Sequence, residues 1–109
     1  MLFRDWLDSL PVAARAKCLH YITLLETFGH ELRRPLADFL RDGIYELRPT
    51  SRNVHYRILY SFVGQQVAIV SHGIAKRGAV PDSEIDKAIA RASRFRKDPS
   101  YGVKYEEQT

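Results

Sequence analysis

The sequence contains a single cysteine, Cys18, and no long apolar run. One cysteine cannot form an intrachain disulfide, and it supplies too few ligands for a cysteine-based zinc site. A membrane-spanning helix needs about 20 consecutive apolar residues. The N-terminus carries Asp5 early and has no apolar stretch of the secretory type. These absences favour a cytoplasmic protein that does not associate with a membrane.

The common enzyme motifs are also missing. The sequence has no P-loop, no dinucleotide-binding glycine pattern, no His-Glu-x-x-His and no Gly-x-Ser-x-Gly. The N-terminal acids Asp5, Asp8 and Glu26 do not form a close carboxylate pair of the kind that glycosidases or two-metal enzymes use. Neither His20 nor His30 has a second ligand at metal-binding spacing. We therefore expect no metal and no other cofactor.

The residues that are present suit one folded domain. The chain has 109 residues, of which 45% are apolar and 28% charged, as is typical of a globular protein. We expect a single domain over residues 1–97 and a polar tail over residues 98–109. Residues 1–50 hold seven basic and seven acidic side chains, whereas residues 51–109 hold ten and six. This asymmetry is compatible with an anionic partner, nucleic acid first, and also with a basic surface that has no ligand.

Apolar periodicity predicts three helices. Residues 4–10 form a short helix that ends before Pro11, and residues 12–28 form a longer one for which Gly29 is a suitable stop. A third helix begins after Pro81. The apolar stripes of the second and third helices consist of Ala14, Cys18, Tyr21, Ile22, Leu25 and Phe28, and of Ile85, Ala88, Ile89, Ala92 and Phe95. Because Cys18 lies within a stripe, we interpret it as a small buried hydrophobe.

Three runs rich in β-branched and aromatic residues, 44–48, 54–62 and 67–71, predict an antiparallel meander. The third run is apolar on both faces, which predicts a central position in the sheet. Residues 31–42 are expected to form a loop with one helical turn, whose Leu36, Phe39 and Leu40 fill the space between helix and sheet. The expected fold is α+β, with N-terminal helices packed on a three- to four-stranded antiparallel sheet and a C-terminal helix.

Alternation along the strands brings cationic side chains together. In the second strand Tyr56 and Ile58 face one side, and His55 and Arg57 face the other. Antiparallel pairing with the first strand can place Arg48 on the face of Arg57. Guanidinium groups stabilise charge that develops on phosphate oxygens, and a histidine or lysine can move a proton. In RNA the neighbouring 2′-hydroxyl supplies the nucleophile, so cleavage needs no metal.

Several of these residues also have a purely structural interpretation. Arg57 can pair with Glu46 across the strands instead of binding nucleic acid. Arg33 and Arg34 fit a solvated pair on a loop better than a phosphate contact. His72, at the end of a buried strand, fits a hydrogen-bonded core residue better than a base.

The order and spacing of several short segments resemble a known family. The segments are Trp6-Leu-Asp-Ser-Leu-Pro11, Gly29-His-Glu-Leu-Arg-Arg-Pro35, Gly43-Ile-Tyr-Glu-Leu-Arg48, Tyr56-Arg-Ile-Leu-Tyr60, Ser71-His-Gly73 with Lys76, and Pro81-x-x-Glu-Ile-x-x-Ala88. Together they resemble the HigB/RelE-type toxins of bacterial type II toxin–antitoxin pairs, in the phage-derived HigB-like branch, over roughly residues 5 to 97. The resemblance implies a RelE-like fold and cleavage of messenger RNA as an mRNA interferase, often on the ribosome. It also implies inhibition by an antitoxin, commonly of the helix-turn-helix type.

The resemblance also suggests roles for individual residues. Arg48, Arg57 and Lys76 match places where the family keeps basic functional residues, and Arg77 is a weaker match. We therefore predict a catalytic set of Arg48, Arg57, Lys76 and Arg77, with His72 and His55 in contact with the substrate. The alternative is a module without catalytic activity that binds nucleic acid or an antitoxin.

Overall fold

The computed structural model describes residues 2–64 and 67–97, so the predicted tail over residues 98–109 lies outside the described residues. The helices are α1 (Phe3–Ser9), α2 (Val12–Phe28) and α3 (Asp82–Lys97), and a 3-10 turn covers Gly29–Glu31. The strands are β1 (Ala37–Arg41), β2 (Ile44–Leu47), β3 (Thr50–Ser51), β4 (Val54–Val63) and β5 (Val67–Ala75). The predicted α+β fold is confirmed, with N-terminal helices, an antiparallel sheet and a C-terminal helix. None of the described helices is long and apolar enough to cross a bilayer.

Strand β4 is the centre of the sheet. It pairs antiparallel with β2, β3 and β5, and β1 pairs with β2. The prediction that the third run is central was therefore wrong, and the strand extends beyond residue 71 to Ala75. Strand β5, which contains this third run, is apolar on both faces because helices cover both faces of the sheet. Its Val70 belongs to the cluster under α1 and α2, and its Ile74 packs against the cluster under α3.

Strand β1 replaces the loop that was predicted over residues 31–42. Its residues lack the β-branched run of an obvious strand, but Asp42 and Gly43 form a tight turn with positive φ values of 53° and 79°. Asp-Gly is a strong hairpin signal because both positions of such a turn need positive φ. The turn pairs Arg41 with Ile44. Phe39 does not fill a gap as predicted, since it is 52% exposed.

The two faces of the sheet support separate apolar clusters. On one face Tyr56, Ile58 and Tyr60 pack beneath α1 and α2, in a cluster that also contains Cys18. Burial raises the pKa of the Cys18 thiol to about 11, so the thiol is neutral at physiological pH. On the other face Leu59 and Ile44 pack beneath α3. The predicted alternation along β4 is therefore correct. In α2, one residue of the predicted apolar stripe is not buried, since Phe28 at its end is exposed.

Gly73 gives α1 close access to the sheet. It pairs with Ile58 on the α1 side of β5, and a side-chain carbon at this position would overlap the indole ring of Trp6. Trp6 stacks on Phe3 and meets Tyr56 edge to face, with ring centroids 5.7 and 6.1 Å apart. The missing side chain therefore lets α1 pack on the sheet through an aromatic contact.

Candidate functional site

An open groove of about 880 Å³ lies on the α3 side of the sheet, between β1, β2, β4, the loop after β5 and the start of α3. We call it the arginine groove, because its lining includes five arginines: Arg34, Arg41, Arg48, Arg57 and Arg77. Three carboxylates, Asp38, Glu46 and Asp82, and one histidine, His55, line it as well. Positive side chains therefore outnumber acidic ones in the groove.

Glu46 lies between two of the predicted site residues. Its Oε2 accepts a 2.7 Å hydrogen bond from Arg48 Nη1, and its Oε1 lies 3.1 Å from Arg57 Nε. The side chains of Glu46 and Arg57 are 4% and 5% exposed, whereas that of Arg48 is 25% exposed. The structure thus brings Arg48 and Arg57 together on one face, and it also contains the Glu46–Arg57 pair that was weighed as an alternative.

The Glu46–Arg57 contact is an ion pair rather than an aligned hydrogen bond. Neither Arg57 Nε nor Glu46 Oε1 has a hydrogen-bond partner in the described part of the chain. Arg57 Nη1 donates to the backbone oxygen of Tyr56 at 3.1 Å, and Nη2 makes no hydrogen bond with a described residue. Nη2 is therefore a donor that a ligand in the groove could use.

Burial and neighbouring charges shift the pKa of Arg57. Burial lowers the pKa of its guanidinium below the ordinary value, Glu46 opposes this effect, and the positive charges of Arg48 and Arg34 lower the pKa further. An arginine nevertheless stays protonated in proteins. One buried carboxylate is consequently shared by two cations, and this part of the groove keeps a net positive charge that an anion can neutralise.

Two further arginines of the groove have acidic partners. Arg34 donates from Nε to Asp38 at 2.9 Å. Arg41 contacts three acids, Asp42, Asp82 and Asp86, at 2.9, 3.4 and 2.8 Å. Arg41 was not predicted as a site residue, because nothing local to it in the sequence points to acids about 40 residues later in the chain. Arg34 was predicted to be a solvated loop residue, since its place in the groove depends on β1.

The remaining predicted residues are distributed differently. His55 lines the groove, and its Nδ1 lies 3.3 Å from Thr50 Oγ1. Arg77 is an exposed residue of the groove lining, and its side chain forms no ion pair with the described residues. Lys76 is exposed and lies outside the lining, but its backbone N–H donates to the His55 oxygen at 2.8 Å, next to the groove.

His72 lies away from the arginine groove, between β5 and α3. Its Nδ1 is 2.8 Å from Ser71 Oγ, and its Nε2 is 2.9 Å from Glu84 Oε1. A neutral imidazole with its proton on Nε2 satisfies both contacts, since it donates to Glu84 and accepts from Ser71. Arg91 Nη1 closes the cluster by donating to the Ser71 backbone oxygen at 2.8 Å. The structure does not bring His72 together with Arg48 and Arg57.

Burial lowers the pKa of His72 below its ordinary value; the hydrogen bond with Glu84 opposes the shift, and Arg91 and Lys87 reinforce it. Desolvation tends to raise the pKa of Glu84, but hydrogen bonds from His72 and Lys87 outweigh it, so the net shift is downward. At neutral pH the cluster therefore contains a neutral imidazole and an ionised carboxylate.

The His72 cluster is expected to make the fold sensitive to acid. Below a pH of about 6.5 the unfolded chain binds a proton that folded His72 does not, so the free energy of unfolding decreases as the pH falls. One such proton changes the free energy of unfolding by at most about 1.4 kcal/mol per pH unit, and Glu84 acts in the same direction below a pH of about 4.5.

Urea unfolding at several pH values measures the effect. His72→Gln should flatten the profile between pH 5 and 6.5, roughly the range in which a free histidine titrates, while exposed His20→Gln should not. An unchanged slope in His72→Gln would contradict the assignment.

The arginine groove can bind an anion but shows no metal-binding arrangement. Guanidinium groups match phosphate oxygens in charge and in planar, two-point geometry. Within residues 2–64 and 67–97, no group of three or more His, Cys, Asp or Glu side chains is placed to hold a metal ion. The chemistry available in the groove is therefore phosphate binding by arginines beside His55, a side chain whose ring nitrogens can donate and accept hydrogen bonds.

A comparison with models of known protein families gives a match over most of the chain. The family model described as "Phage derived protein Gp49-like (DUF891)" matches residues 5–93, which is most of the chain and includes most of α1, all of α2, the whole sheet and most of α3. No curated protein sequence matches significantly.

Proposed function

Since the chain belongs to the Gp49-like family of phage-derived proteins, which is associated with the toxins of toxin–antitoxin systems, we propose that it is a toxin of the HigB/RelE type. In this proposal it is an endoribonuclease that cleaves messenger RNA, on the ribosome and without a metal, and so inhibits translation in the cytoplasm. Its cognate partner is an antitoxin with a helix-turn-helix domain.

The observation that carries the proposal is the sharing of one buried carboxylate by Arg48 and Arg57 in an open groove. Glu46 compensates only one of the two positive charges, and Arg77 adds a third cation that has no ion-pair partner among the described residues. A phosphodiester entering the groove restores the balance of charge. Arg48 and Arg77 are the more exposed contacts, while Arg57 forms the floor and offers Nη2.

The proposed reaction uses the RNA itself as nucleophile. The 2′-oxygen attacks the adjacent phosphorus, its proton passes to a base, and the bond from phosphorus to the 5′-oxygen breaks as that oxygen takes up a proton. The negative charge that develops on the phosphate oxygens is stabilised by Arg48 and Arg57. His55 lines the groove and is the proposed proton-transfer residue, because an imidazole can act as general base or acid. Lys76 lies next to it. His72, predicted as a substrate contact, is not among the residues that line the groove, and its ring nitrogens contact Ser71 and Glu84 instead.

Induced expression tests the proposal. The wild-type chain should arrest growth, and purified protein should cut a reporter messenger RNA in a translation extract, at sites located by primer extension. Arg48→Gln should reduce the cleavage rate about 10- to 100-fold, because a hydrogen bond to a charged group contributes about 1.5–3 kcal/mol. Arg4→Gln is the matched control, since Arg4 is exposed on α1 and outside the groove.

The same experiment distinguishes the alternative function. RNA binding that weakens steeply with salt, without cleavage in the presence or absence of ribosomes, would identify a module without catalytic activity. Intact transcripts and normal growth after induction, together with no affinity for RNA at low salt, would reject both the nuclease and the nucleic-acid-binding version.

A further inference from the structure

The arginine groove has two ends of opposite charge. At one end Arg48 and Arg57 share the buried carboxylate of Glu46 and keep an excess of positive charge. At the other end, beside the β1–β2 turn, Arg41 contacts three carboxylates, which leave an excess of negative charge. Arg41 pairs with the first of the four residues of β2 and Arg48 follows the last, so the length of this strand, roughly 10 Å, separates the two ends. A phosphate is therefore attracted to the first end and repelled from the second.

An apolar wall stands next to the acidic end. Leu40, Val80 and Ile85 line the groove, and all three take part in the apolar cluster beneath α3. Leu40 precedes Arg41 on β1, and Ile85 lies one helical turn after Asp82 on α3. The groove thus combines a cationic end, an apolar wall and an acidic end on the same face of the sheet.

Asp82 is the carboxylate of the acidic end that faces the groove. Of the acids that contact Arg41 in the described part of the chain, it is the one in the groove lining. Its Oδ1 lies 3.4 Å from Arg41 Nη2, and its Oδ2 makes no hydrogen bond with a described residue. The other carboxylates of the lining, Asp38 and Glu46, are bound by arginines. Asp82, whose side chain is 85% exposed, is therefore an acceptor that a ligand can use.

Unpartnered polar atoms in the floor of the groove point independently to a ligand. Glu46 Oε1 and Arg57 Nε have no hydrogen-bond partner among the described residues, and both side chains are more than nine-tenths buried. Native proteins rarely leave buried polar atoms unpaired, because each one costs free energy of desolvation. The ligand that fits has an anionic group for the arginines, a flat apolar part for the wall and a hydrogen-bond donor for Asp82.

We propose that the arginine groove selects the base of the RNA nucleotide whose phosphate it holds, and that Asp82 is the selecting residue. The inference rests on the proposed function and adds a base preference to it. The base packs against Leu40, Val80 and Ile85, and its exocyclic amino group donates to the Asp82 carboxylate. Carboxylates are the usual acceptors for the N4 amino group of cytosine. Adenine and guanine also carry an amino group, whereas uracil carries carbonyl oxygens that the carboxylate repels.

Binding of cytosine and uracil oligonucleotides tests the selection, since the two pyrimidines have the same size and differ at the amino group. Fluorescence anisotropy would use labelled hexamers with 2′-O-methyl groups, which block the nucleophile so that binding is measured without cleavage. Wild type should bind the cytosine hexamer about 5- to 10-fold more tightly, the lower end of the range for a specific base contact. The lower end applies because Asp82 is largely solvent-exposed.

A pair of matched variants assigns the preference to Asp82. Asp82→Asn should reduce the cytosine-to-uracil ratio to near 1, because an amide can donate to uracil as well as accept from cytosine. Asp86→Asn is the control: it removes the same charge from the partners of Arg41, at 2.8 Å, but Asp86 is outside the groove lining. Both positions are exposed, so both variants should fold like wild type. An unchanged ratio in Asp82→Asn, or an equal loss in Asp86→Asn, would overturn the inference.

A variant of the wall tests the place of the base. Leu40→Thr should weaken binding of both hexamers about 10-fold, the scale of a small change in an apolar pocket, while Leu40→Met should bind like wild type. The slope of log affinity against log salt should not change, since no phosphate contact is lost. Equal binding by wild type and Leu40→Thr would show that the base lies elsewhere, and it would reject the inference.

The remaining outcomes distinguish this inference from the proposed function. If wild type binds both hexamers equally, the base selection is rejected and the proposed function stands. If wild type binds neither hexamer nor unmodified RNA at low salt, the proposed function fails and the selection fails with it. If Asp82→Asn keeps the preference for cytosine but no longer copurifies with a coexpressed antitoxin, the acidic end belongs to a protein interface and the inference is wrong.

Discussion

Arg57→Ala is expected to lower the rate of RNA cleavage about 10²- to 10³-fold, the loss seen when one donor to a developing oxyanion is removed. Arg57 forms the floor of the arginine groove, and its Nη2 is not engaged by any described residue. Its charge is held in place by burial among protein atoms, so that little reorganisation is needed when charge develops on the phosphate. The measurement is a single-turnover cleavage rate per folded molecule.

The same substitution is expected to destabilise the fold. It leaves Glu46, whose side chain is 4% exposed, as a buried carboxylate with Arg48 as its remaining cation. Breaking a buried ion pair by removing one partner costs about 3–5 kcal/mol, whereas replacing both partners by neutral groups is often tolerated. The double variant Arg57→Met with Glu46→Gln should therefore recover most of the stability of wild type, as measured by urea unfolding.

The double variant separates the two roles of Arg57. It restores a balance of charge without restoring the guanidinium, so its cleavage rate should stay as low as that of Arg57→Ala although it is folded. Recovery of cleavage together with stability would show that Arg57 is only the structural partner of Glu46. In that case the interpretation as an ion pair across the strands is sufficient, and Arg48 and Arg77 remain as the candidate phosphate contacts.

Gly73→Ala is expected to lower the free energy of unfolding by about 1–3 kcal/mol, the usual cost of overpacking. The added carbon would overlap the Trp6 indole, which lies directly on the glycine. Trp6 cannot simply rotate away, because it also contacts Phe3 and Tyr56. For a domain of this size each kcal/mol lowers the melting temperature by about 4 °C or more, so thermal unfolding followed by circular dichroism resolves the effect.

A double-mutant cycle provides the control for Gly73. In a Trp6→Leu background the overlapping ring is gone, so Gly73→Ala should cost much less than it does with tryptophan present. The difference between the two costs measures the coupling between the residues, and contacting residues commonly couple by about 0.5–3 kcal/mol. Equal costs in both backgrounds would show that the glycine is required for a reason other than the approach of α1.

Much of the fold follows from patterns that are local in the sequence. The stripe of Ala14, Cys18, Ile22 and Leu25 correctly predicted the buried side of α2. Alternation correctly separated Tyr56 and Ile58 from Arg57, because successive side chains on a strand point to opposite faces whatever the strand pairs with. Strand β1 was missed although Asp42-Gly43 marks its hairpin, since the residues of β1 themselves have little preference for a strand.

The order of the strands could not be predicted in the same way. A strand that is apolar on both faces is covered on both faces, but coverage does not decide whether it is central. Strand β5 is covered by α1 and α2 on one face and by α3 on the other, yet among the described strands it pairs with β4 alone, whereas β4 pairs along both of its edges. Position in the sheet depends on hydrogen bonds between strands, and a hydropathy pattern does not record those.

The candidate site, too, was predictable from the sequence only in part. Alternation and register placed Arg48 and Arg57 on one face, and the structure brings them together on Glu46. The positions of Arg41 and His72 needed the packing of α3. Arg41 contacts Asp82 and Asp86 on that helix. His72 contacts Glu84 on the same helix, and it lies in β5 opposite Leu59, where the register between β4 and β5 is irregular. The catalytic and substrate-binding roles of the six predicted residues stay predictions.

The sequence by itself determined which side chains face the core and that Arg48, His55 and Arg57 share a surface, because both depend on backbone periodicity within a few residues. Only the tertiary structure decided that β1 and the start of α3 complete an open groove around that surface and that one buried carboxylate serves two arginines. These features arise where β1, β2, β4 and α3 meet. Contacts between elements distant in sequence depend on burial and charge pairing in three dimensions, which no local pattern contains.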